Sequence, residues 1–283
     1  MPETVFVLGG GANLGATQVG MLRALLEHGI TPDAVVGCSV GAINGAVLAA
    51  QPTMAAVKQL EVVWSSLSSH TICPAGKFNA VRMLAKRYPT LESNDGLRHL
   101  LERHLPFRNF EETEIPLHVV ATALNTGAEH WFHTGPVLRA LLASSAIPAV
   151  FPPVMIDGQP YVDGAVVNNV PISRALALGA RRVVVLHVGN FSRPRRAPKR
   201  PIEALIQSFS IARNHRFAID TGSVPEGVEL LVLPAVDPGS SLGYHDFSRA
   251  HMLIEKAYRL TADFLASPSH STIGASAQSL SRS

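Results

Sequence analysis

Residues 35–42 read VVGCSVGA, and they place Ser39 between Gly37 and Gly41 directly after a run of β-branched residues. The spacing gives G-x-S-x-G, which is typical of a nucleophile elbow, a tight turn between a strand and a helix. Small residues on both sides let such a turn close without steric clash, so that the serine hydroxyl projects alone. Because Gly and Ser are also common in ordinary turns, the pattern alone leaves both interpretations open.

The sequence around Ser39 predicts two strand-loop-helix units. Residues 5–8 form a short apolar run that ends in a glycine-rich loop, after which apolar residues recur at helical spacing. The second unit consists of a strand over residues 34–36, the Ser39 turn and a helix over residues 41–50. Two such units predict an α/β fold with a mainly parallel sheet, and they place both loops at the carboxyl edge, where open α/β folds bind ligands.

Further strands are predicted downstream. Residues 116–124 read as a strand, and Asp157-Gly158 as the turn of a hairpin whose second arm ends at Asp163. Later buried strands are predicted over residues 181–189 and 228–234. Between Trp64 and Asn94 the pattern loosens, which indicates a surface insertion that either covers a site or is a plain connector.

Composition limits the classes of function. With 283 residues and 47% hydrophobic content, the chain can bury a large core as one α/β domain, or form two smaller domains. The net charge of +3 is mild, and the sequence contains no nucleic-acid recognition motif, so a nucleic-acid partner is not expected. Cys38 and Cys73 are too few for a disulfide framework or a zinc site, which favours a reducing, cytoplasmic environment.

The sequence predicts no membrane span and no signal peptide. The N-terminus MPETVFVLGGG lacks a basic region, and no apolar run reaches the ~18 residues of a span. We therefore expect a protein that is either soluble or touches membranes only from the side. The basic, Pro-rich run over residues 193–201 is either a solvated loop or a segment that contacts an anionic membrane surface.

The glycine-rich loop, residues 9–15, admits two interpretations. In a dinucleotide-binding fold it would hold a pyrophosphate, and an acidic residue would end the second strand. Here Asp33 precedes that strand, and Leu14 stands where the last motif glycine is required, so the dinucleotide interpretation fails. In the other interpretation, the small residues up to Gly15 direct backbone N–H groups toward one point beside Ser39, as in an oxyanion hole.

A nucleophilic serine needs a base, because a free hydroxyl is a weak nucleophile near neutral pH. His187, inside VVVLHVG, reads as a buried strand residue rather than a base. Asp163 is the better candidate, since it follows a hairpin strand and is succeeded by Gly164. Asn168 and Asn169, which come next, could pair with backbone groups.

Three segments in this order resemble the patatin-like phospholipase family: the glycine-rich loop, GCSVGA at residues 37–42 and DGAVVNNVP at residues 163–171. The resemblance extends through residues 15–46 and 143–171, so it covers most of the first 190 residues of the sequence. It becomes diffuse afterwards.

The resemblance implies a three-layer α/β/α fold with a mainly parallel central sheet, and a Ser-Asp dyad rather than a Ser-His-Asp triad. Carried over by position, Ser39 is the nucleophile and Asp163 is its general base. Gly10, Gly11 and Ala12 line the oxyanion hole in the same comparison. Such enzymes hydrolyse lipid or fatty acyl esters through an acyl-enzyme, and they use no metal or other cofactor.

Two residues depart from the family pattern. Ala12 replaces a usual glycine, which is a mild change if its φ is ordinary, since only a positive φ penalises alanine strongly. Leu14 replaces a usual arginine or lysine, so a positive group near the oxyanion or a substrate phosphate is missing. This loss predicts a bias toward uncharged esters unless an arginine from elsewhere in the fold compensates.

The sequence therefore predicts a cytoplasmic serine lipid acyl hydrolase of the phospholipase A or carboxylesterase type. Residues 1–265 form the hydrolase domain, and residues 266–283 form a disordered, Ser-rich tail. An acyltransferase would use the same acyl-enzyme with an alcohol in place of water. The alternative from another class is a catalytically idle lipid-binding or scaffolding protein with the same fold.

Overall fold

The computed structural model describes residues 1–68, 93–189, 197–198, 201–237 and 246–267. Cys73, most of the predicted insertion and most of the basic run lie outside the described residues. So do residues 268–283, on which the prediction of a disordered tail falls.

An eight-stranded sheet forms the centre of the molecule. Its strands are β1 (Thr4–Leu8), β2 (Ala34–Cys38), β3 (Leu117–Ala123), β4 (Glu129–Phe132), β5 (Val154–Ile156), β6 (Gln159–Asp163), β7 (Arg182–Leu186) and β8 (Glu229–Val232). The order is β5-β6-β3-β2-β1-β7-β8, and β4 also pairs with β3. Strands β3, β2, β1, β7 and β8 are parallel, whereas β4 and β6 run antiparallel to β3. The predicted mainly parallel sheet is confirmed.

Helices cover both faces of this sheet. The described α-helices are α1 (Ala16–Glu27), α2 (Val40–Ala50), α3 (Met54–Ser66), α4 (Asp95–His104), α5 (Val137–Ser144), α6 (Ile172–Ala177), α7 (Pro201–Gly222) and α8 (Ala250–Ala266). Alternate residues of β1 enter two separate apolar clusters, because successive strand side chains point to opposite faces. Phe6 and Leu8 pack with α1, α2 and α8, whereas Val5 and Val7 pack with α6 and α7. The result is the predicted three-layer α/β/α fold.

The predicted hairpin is present between β5 and β6. Asp157 and Gly158 have φ angles of +49° and +78°, as a two-residue turn of the I′ type requires. The hairpin returns the chain to β3, where β6 pairs antiparallel with residues 121–123.

The ends of β2 and β6 meet along β3. Strand β2 runs parallel to β3 and ends at Cys38, which is paired with Val120. Strand β6 runs in the opposite direction and ends at Asp163, which is paired with Ala121. Because Val120 and Ala121 are neighbours, the register brings the residue after Cys38 next to Asp163.

Candidate active site

Ser39 lies in a strained turn between β2 and α2. Its φ and ψ angles are +54° and −126°, a region that non-glycine residues rarely adopt. A Cβ added to Gly41 would lie 2.2 Å from the carbonyl oxygen of Leu8, and one added to Gly37 would lie 2.5 Å from the Cα of Ala42. Both flanking positions therefore require glycine. Any side chain there would prevent the turn around Ser39 from closing, as expected for a nucleophile elbow.

Ser39 and Asp163 form a buried hydrogen-bonded pair. The Ser39 hydroxyl donates to Oδ2 of Asp163 over 2.7 Å. The other carboxyl oxygen, Oδ1, accepts from the N–H of Ala165 at 2.8 Å and from the thiol of Cys38 at 3.9 Å. Ser39 is 6% exposed and Asp163 is 3% exposed. The structure thus brings together the two side chains that the sequence singled out.

The environment of Asp163 favours its protonated form. Burial raises the pKa of this carboxyl to about 6, although the hydrogen bonds from Ala165 and Ser39 and the charge of Arg213 oppose the shift. Burial, together with the charge of Asp163, also raises the pKa of the Cys38 thiol well above its ordinary value. A carboxyl with a pKa near 6 is ionised at neutral pH and still basic enough to accept a proton in a reaction.

The glycine-rich loop passes directly over Ser39. A Cβ on Gly10 would lie 2.8 Å from Oδ1 of Asn169 and 3.1 Å from the Cβ of Ser39, so a side chain here would crowd both residues. The N–H of Gly10 donates to the carbonyl of Asn169 at 3.1 Å, and the Asn169 side chain donates to the carbonyl of Gly10 at 3.3 Å. In the described part of the chain, the N–H groups of Gly11 and Ala12 have no acceptor.

Asn169 and Leu14 orient those two N–H groups. In a trans peptide the C=O and N–H point in opposite directions. The carbonyl of Gly10 faces Asn169, so the N–H of Gly11 faces away from Asn169. The carbonyl of Gly11 accepts from the N–H of Leu14 at 3.1 Å, which orients the N–H of Ala12 in the same manner. The expected pairing of an asparagine with backbone is thus seen at Asn169.

The backbone of Ala12 is not ordinary. Its φ is +50°, in the left-handed region that favours glycine. The condition for a mild substitution, an ordinary φ, is therefore not met at Ala12. An alanine there costs roughly 1–2 kcal/mol, because its Cβ crowds the following carbonyl.

A series of hydrogen bonds between buried side chains holds the backbone of the glycine-rich loop in place. The Gln18 side chain donates to the carbonyls of Gly9 at 2.8 Å and Leu186 at 3.0 Å. The Asn44 side chain donates to the carbonyl of Gly15 at 3.0 Å and to the Gln18 side chain at 2.9 Å. The indole N–H of Trp64 completes the chain by donating to Asn44 at 3.0 Å. Helices α1, α2 and α3 are thereby joined beneath the glycine-rich loop.

The remaining motif glycines are also sites of close contact. A Cβ on Gly15 would lie 2.4 Å from a methyl group of Val40, at the start of α2. A Cβ on Gly164 would lie 2.5 Å from the carbonyl oxygen of Val120. Gly15 thus lets the loop approach the elbow, and Gly164 lets the turn after Asp163 approach β3.

Two residues considered for other roles, His187 as a base and Asp33 as the acid of a dinucleotide site, form no hydrogen bond with Ser39 in the described ranges. His187 packs against Phe217 with ring centroids 5.5 Å apart, and burial lowers its pKa to about 4. It does not pair with the Ser39 hydroxyl, whose acceptor is Asp163. Asp33 accepts the N–H groups of Glu3 and Thr4 at the amino end of β1, far from the place of a ribose-binding acid.

Two residues at the site were not singled out by the sequence analysis. The backbone N–H of Ser39 donates to the hydroxyl of Ser144 at 2.8 Å, at the end of α5. The Thr122 hydroxyl donates to the carbonyl of Asp163 at 2.9 Å. Ser144 lies within residues 143–171, which carry the family resemblance, and nothing else in the sequence pointed to it.

Among the residues that the structure describes, no three His, Cys, Asp or Glu side chains are grouped as metal ligands.

Comparisons with known proteins identify the family of the chain. The sequence profile of the Patatin-like phospholipase family matches residues 6–176, and the chain belongs to this family. It is 29% identical over 188 residues to patatin-like phospholipase domain-containing protein 7 of Rattus norvegicus, and 31% identical over 189 residues to the neuropathy target esterase sws of Drosophila melanogaster. Each match covers 65% of this chain and 13% of the relative.

A solved structure shows the same fold. The crystal structure of VipD from Legionella pneumophila superposes with a TM-score of 0.50 over 95% of this chain and 67% of that chain, at 14% sequence identity. Over the ranges that the structure describes, no helix combines the length and apolar character needed to cross a bilayer.

Proposed function

We propose that the protein is a serine lipid acyl hydrolase that cleaves carboxylic esters with Ser39 and Asp163. The observation that carries the proposal is the 2.7 Å hydrogen bond from the Ser39 hydroxyl to a buried carboxyl at the carboxyl edge of the sheet. Membership of the patatin-like phospholipase family supports a lipid ester as the substrate. The name of the relative from Drosophila melanogaster, an esterase, supports the same class of bond.

In the first half of the reaction, Ser39 Oγ attacks the ester carbonyl carbon and its proton passes to Oδ2 of Asp163. The carbonyl oxygen becomes an oxyanion, which the N–H groups of Gly11 and Ala12 stabilise. The N–H of Gly10 is not available to the oxyanion, because it is bonded to the carbonyl of Asn169. The role of Gly10 is to leave room for the loop beside Ser39. Collapse of the tetrahedral intermediate releases the alcohol, which takes the proton from Asp163, and leaves an acyl group on Ser39.

In the second half, Asp163 accepts a proton from a water molecule that attacks the acyl carbon. The same two N–H groups stabilise the second oxyanion. Its collapse breaks the bond to Ser39 Oγ, the proton on Asp163 returns to that oxygen, and the fatty acid leaves. An alcohol in place of this water would give acyl transfer through the same intermediate.

Replacement of Ser39 tests the proposal. We expect wild-type protein to hydrolyse esters in a panel of p-nitrophenyl esters, lysophospholipids and acylglycerols, and to be labelled by a fluorophosphonate probe. Ser39→Ala, which removes one oxygen, should abolish both while the protein stays folded. Ser145→Ala is a matched control, since Ser145 is also buried but lies in the turn after α5. Wild-type turnover by folded Ser39→Ala would refute the mechanism. Folded wild-type protein that is neither labelled nor active on any ester would favour a catalytically idle, lipid-binding role.

We also propose peripheral contact with anionic membranes through the basic run of residues 193–201. Its five cations precede helix α7, on which Phe209 and Ile211 are 40% and 49% exposed. Cations near an anionic surface each contribute about 1 kcal/mol, and salt screens this attraction. Vesicle sedimentation should show binding that falls with salt and with replacement of the five cations by serine. Binding that is insensitive to both changes would contradict this contact.

A further inference from the structure

Helix α7 directs one face toward the carboxyl edge of the sheet. Buried and half-buried residues recur at Arg213, Arg216, Phe217 and Asp220, the i, i+3, i+4, i+7 spacing of a single helix face. Phe217 packs on His187, directly after β7, and α7 contacts the turn of residues 164–166 that follows Asp163. Arg213 lies one turn before Phe217 on this inward face.

The two arginines of this face differ in their partners. Arg216 is paired with Asp220 at 2.9 Å and with Glu129 at 3.1 Å, so its charge is compensated. Arg213 makes no ion pair and no hydrogen bond with any residue in the described ranges. Its positive charge nevertheless lowers the pKa values of Asp163 and Cys38. An uncompensated, half-buried guanidinium thus acts on the site from the side of α7.

The glycine-rich loop has no cation of its own. Leu14 is half-buried and packs against the apolar core, at the position where the family usually carries arginine or lysine. Arg213 is therefore a cation from elsewhere in the fold that can take the place of the one missing at Leu14.

We propose that Arg213 binds the phosphate of a phospholipid or lysophospholipid whose ester carbonyl lies at Ser39. This inference rests on the proposed function, because it assigns the anionic part of the same substrate. A guanidinium presents a planar fork of N–H donors that matches two phosphate oxygens. Such a contact selects phosphate-bearing esters over neutral esters with the same acyl chain.

The test compares 1-oleoyl-lysophosphatidate with 1-oleoylglycerol, which differ only in the phosphate group. At pH 8, which is well above the pKa of Asp163, Arg213→Gln should lower kcat/KM for the lysophosphatidate by about 10- to 100-fold, because a hydrogen bond to a charged group is strong. It should change the value for oleoylglycerol less than twofold, because Asp163 remains ionised at this pH. Arg213→Lys should recover part of the loss. Arg259→Gln is the charge-matched control, because Arg259 is exposed on α8 in the other helical layer. Equal losses on both substrates, or no loss on either, would overturn the proposal.

A binding experiment separates this inference from the hydrolytic mechanism. Dissociation constants are measured by calorimetry for Ser39→Ala and for the double variant with Arg213→Gln, with each lipid below its micellar concentration. The second substitution should weaken binding of the lysophosphatidate about tenfold or more and leave oleoylglycerol unchanged. This selective loss would support the role of Arg213 even if Ser39 proves not to be the nucleophile. Unchanged affinity for the lysophosphatidate would overturn that role even in an active hydrolase.

Discussion

At the scale of single residues, the acidity of Asp163 decides when the site can work. Its carboxyl must be ionised to accept the proton of Ser39, and burial raises its pKa to about 6. The carboxylate is therefore the main form at pH 8 and a minor form at pH 5. A less buried aspartate would be ionised at both pH values but would be a weaker base.

We expect kcat/KM for a neutral ester to rise with pH and to reach half of its plateau near pH 6. The sign follows from the base, which is inactive when protonated. Asp163→Asn keeps the shape of the side chain and cannot accept a proton, so activity at pH 8 should fall by about 10²- to 10⁴-fold. A pH-rate profile of both proteins on one p-nitrophenyl ester measures the effect. A loss under tenfold would point to another base, and His187→Gln would then be the next variant to measure.

Ala12 stores strain that a single substitution can remove. Its φ of +50° suits glycine, so Ala12→Gly should raise the free energy of unfolding by about 0.5–1 kcal/mol after the greater freedom of the unfolded glycine is subtracted. Urea denaturation measures the change. Ala218→Gly, on the exposed face of α7, should lower stability by about 1 kcal/mol and serves as the matched control. A loss of stability in both variants would mean that position 12 does not hold a left-handed conformation.

Functional residues could be predicted from the sequence where they belong to a recognisable motif. Ser39 and Asp163 were predicted, and their direct contact follows from a register that sequence alone does not contain. The φ of Ala12 was missed, because it is set by the packing of the loop between Ser39 and Asn169. Ser144 was missed as well, since a serine that binds one backbone N–H leaves no periodic pattern.

At the scale of elements, the buried amide chain of Gln18, Asn44 and Trp64 joins three helices. Asn44→Ala would leave the Gly15 carbonyl and the Trp64 indole N–H without their partners in a buried region. Each buried group left unsatisfied costs about 1–3 kcal/mol, so the free energy of unfolding should fall by roughly 3 kcal/mol or more. Chemical denaturation provides the measurement, with Asn125→Ala as control because the Asn125 side chain is exposed. A loss under about 1 kcal/mol would show that the chain is not needed for stability.

Strands and the first two helices were predictable because their patterns are strong. Strand β2 is a fully buried run, β1 is buried except at its first residue, and α1 repeats apolar residues at helical spacing. Helix α7 was not predicted, because it begins at Pro201 within the basic run and carries apolar residues on its exposed side, such as Phe209 and Ile211. The inward position of Arg213 was therefore invisible in the sequence.

At the scale of the whole molecule, the last described helix ends near residue 265, where the sequence predicts the end of the domain. Helix α8 packs against α1 through Leu253 and Ile254, and it ends at Ala266. Removal of residues 268–283, which are rich in Ser, should change neither the Tm nor ester hydrolysis, because this composition cannot form a packed core. Calorimetry and a p-nitrophenyl ester assay on the shortened chain test this prediction. A large fall in Tm would assign the segment to the folded domain.

The meeting of β2 and β6 along β3 has a consequence for biosynthesis. Ser39 leaves the ribosome 124 residues ahead of Asp163, which at cellular rates of translation is on the order of ten seconds. During that interval the nascent chain carries a serine without its proton acceptor. The hydrogen-bonded pair therefore forms only after β6 has been synthesised and has paired with β3, so the nucleophile becomes active late in the synthesis of the domain.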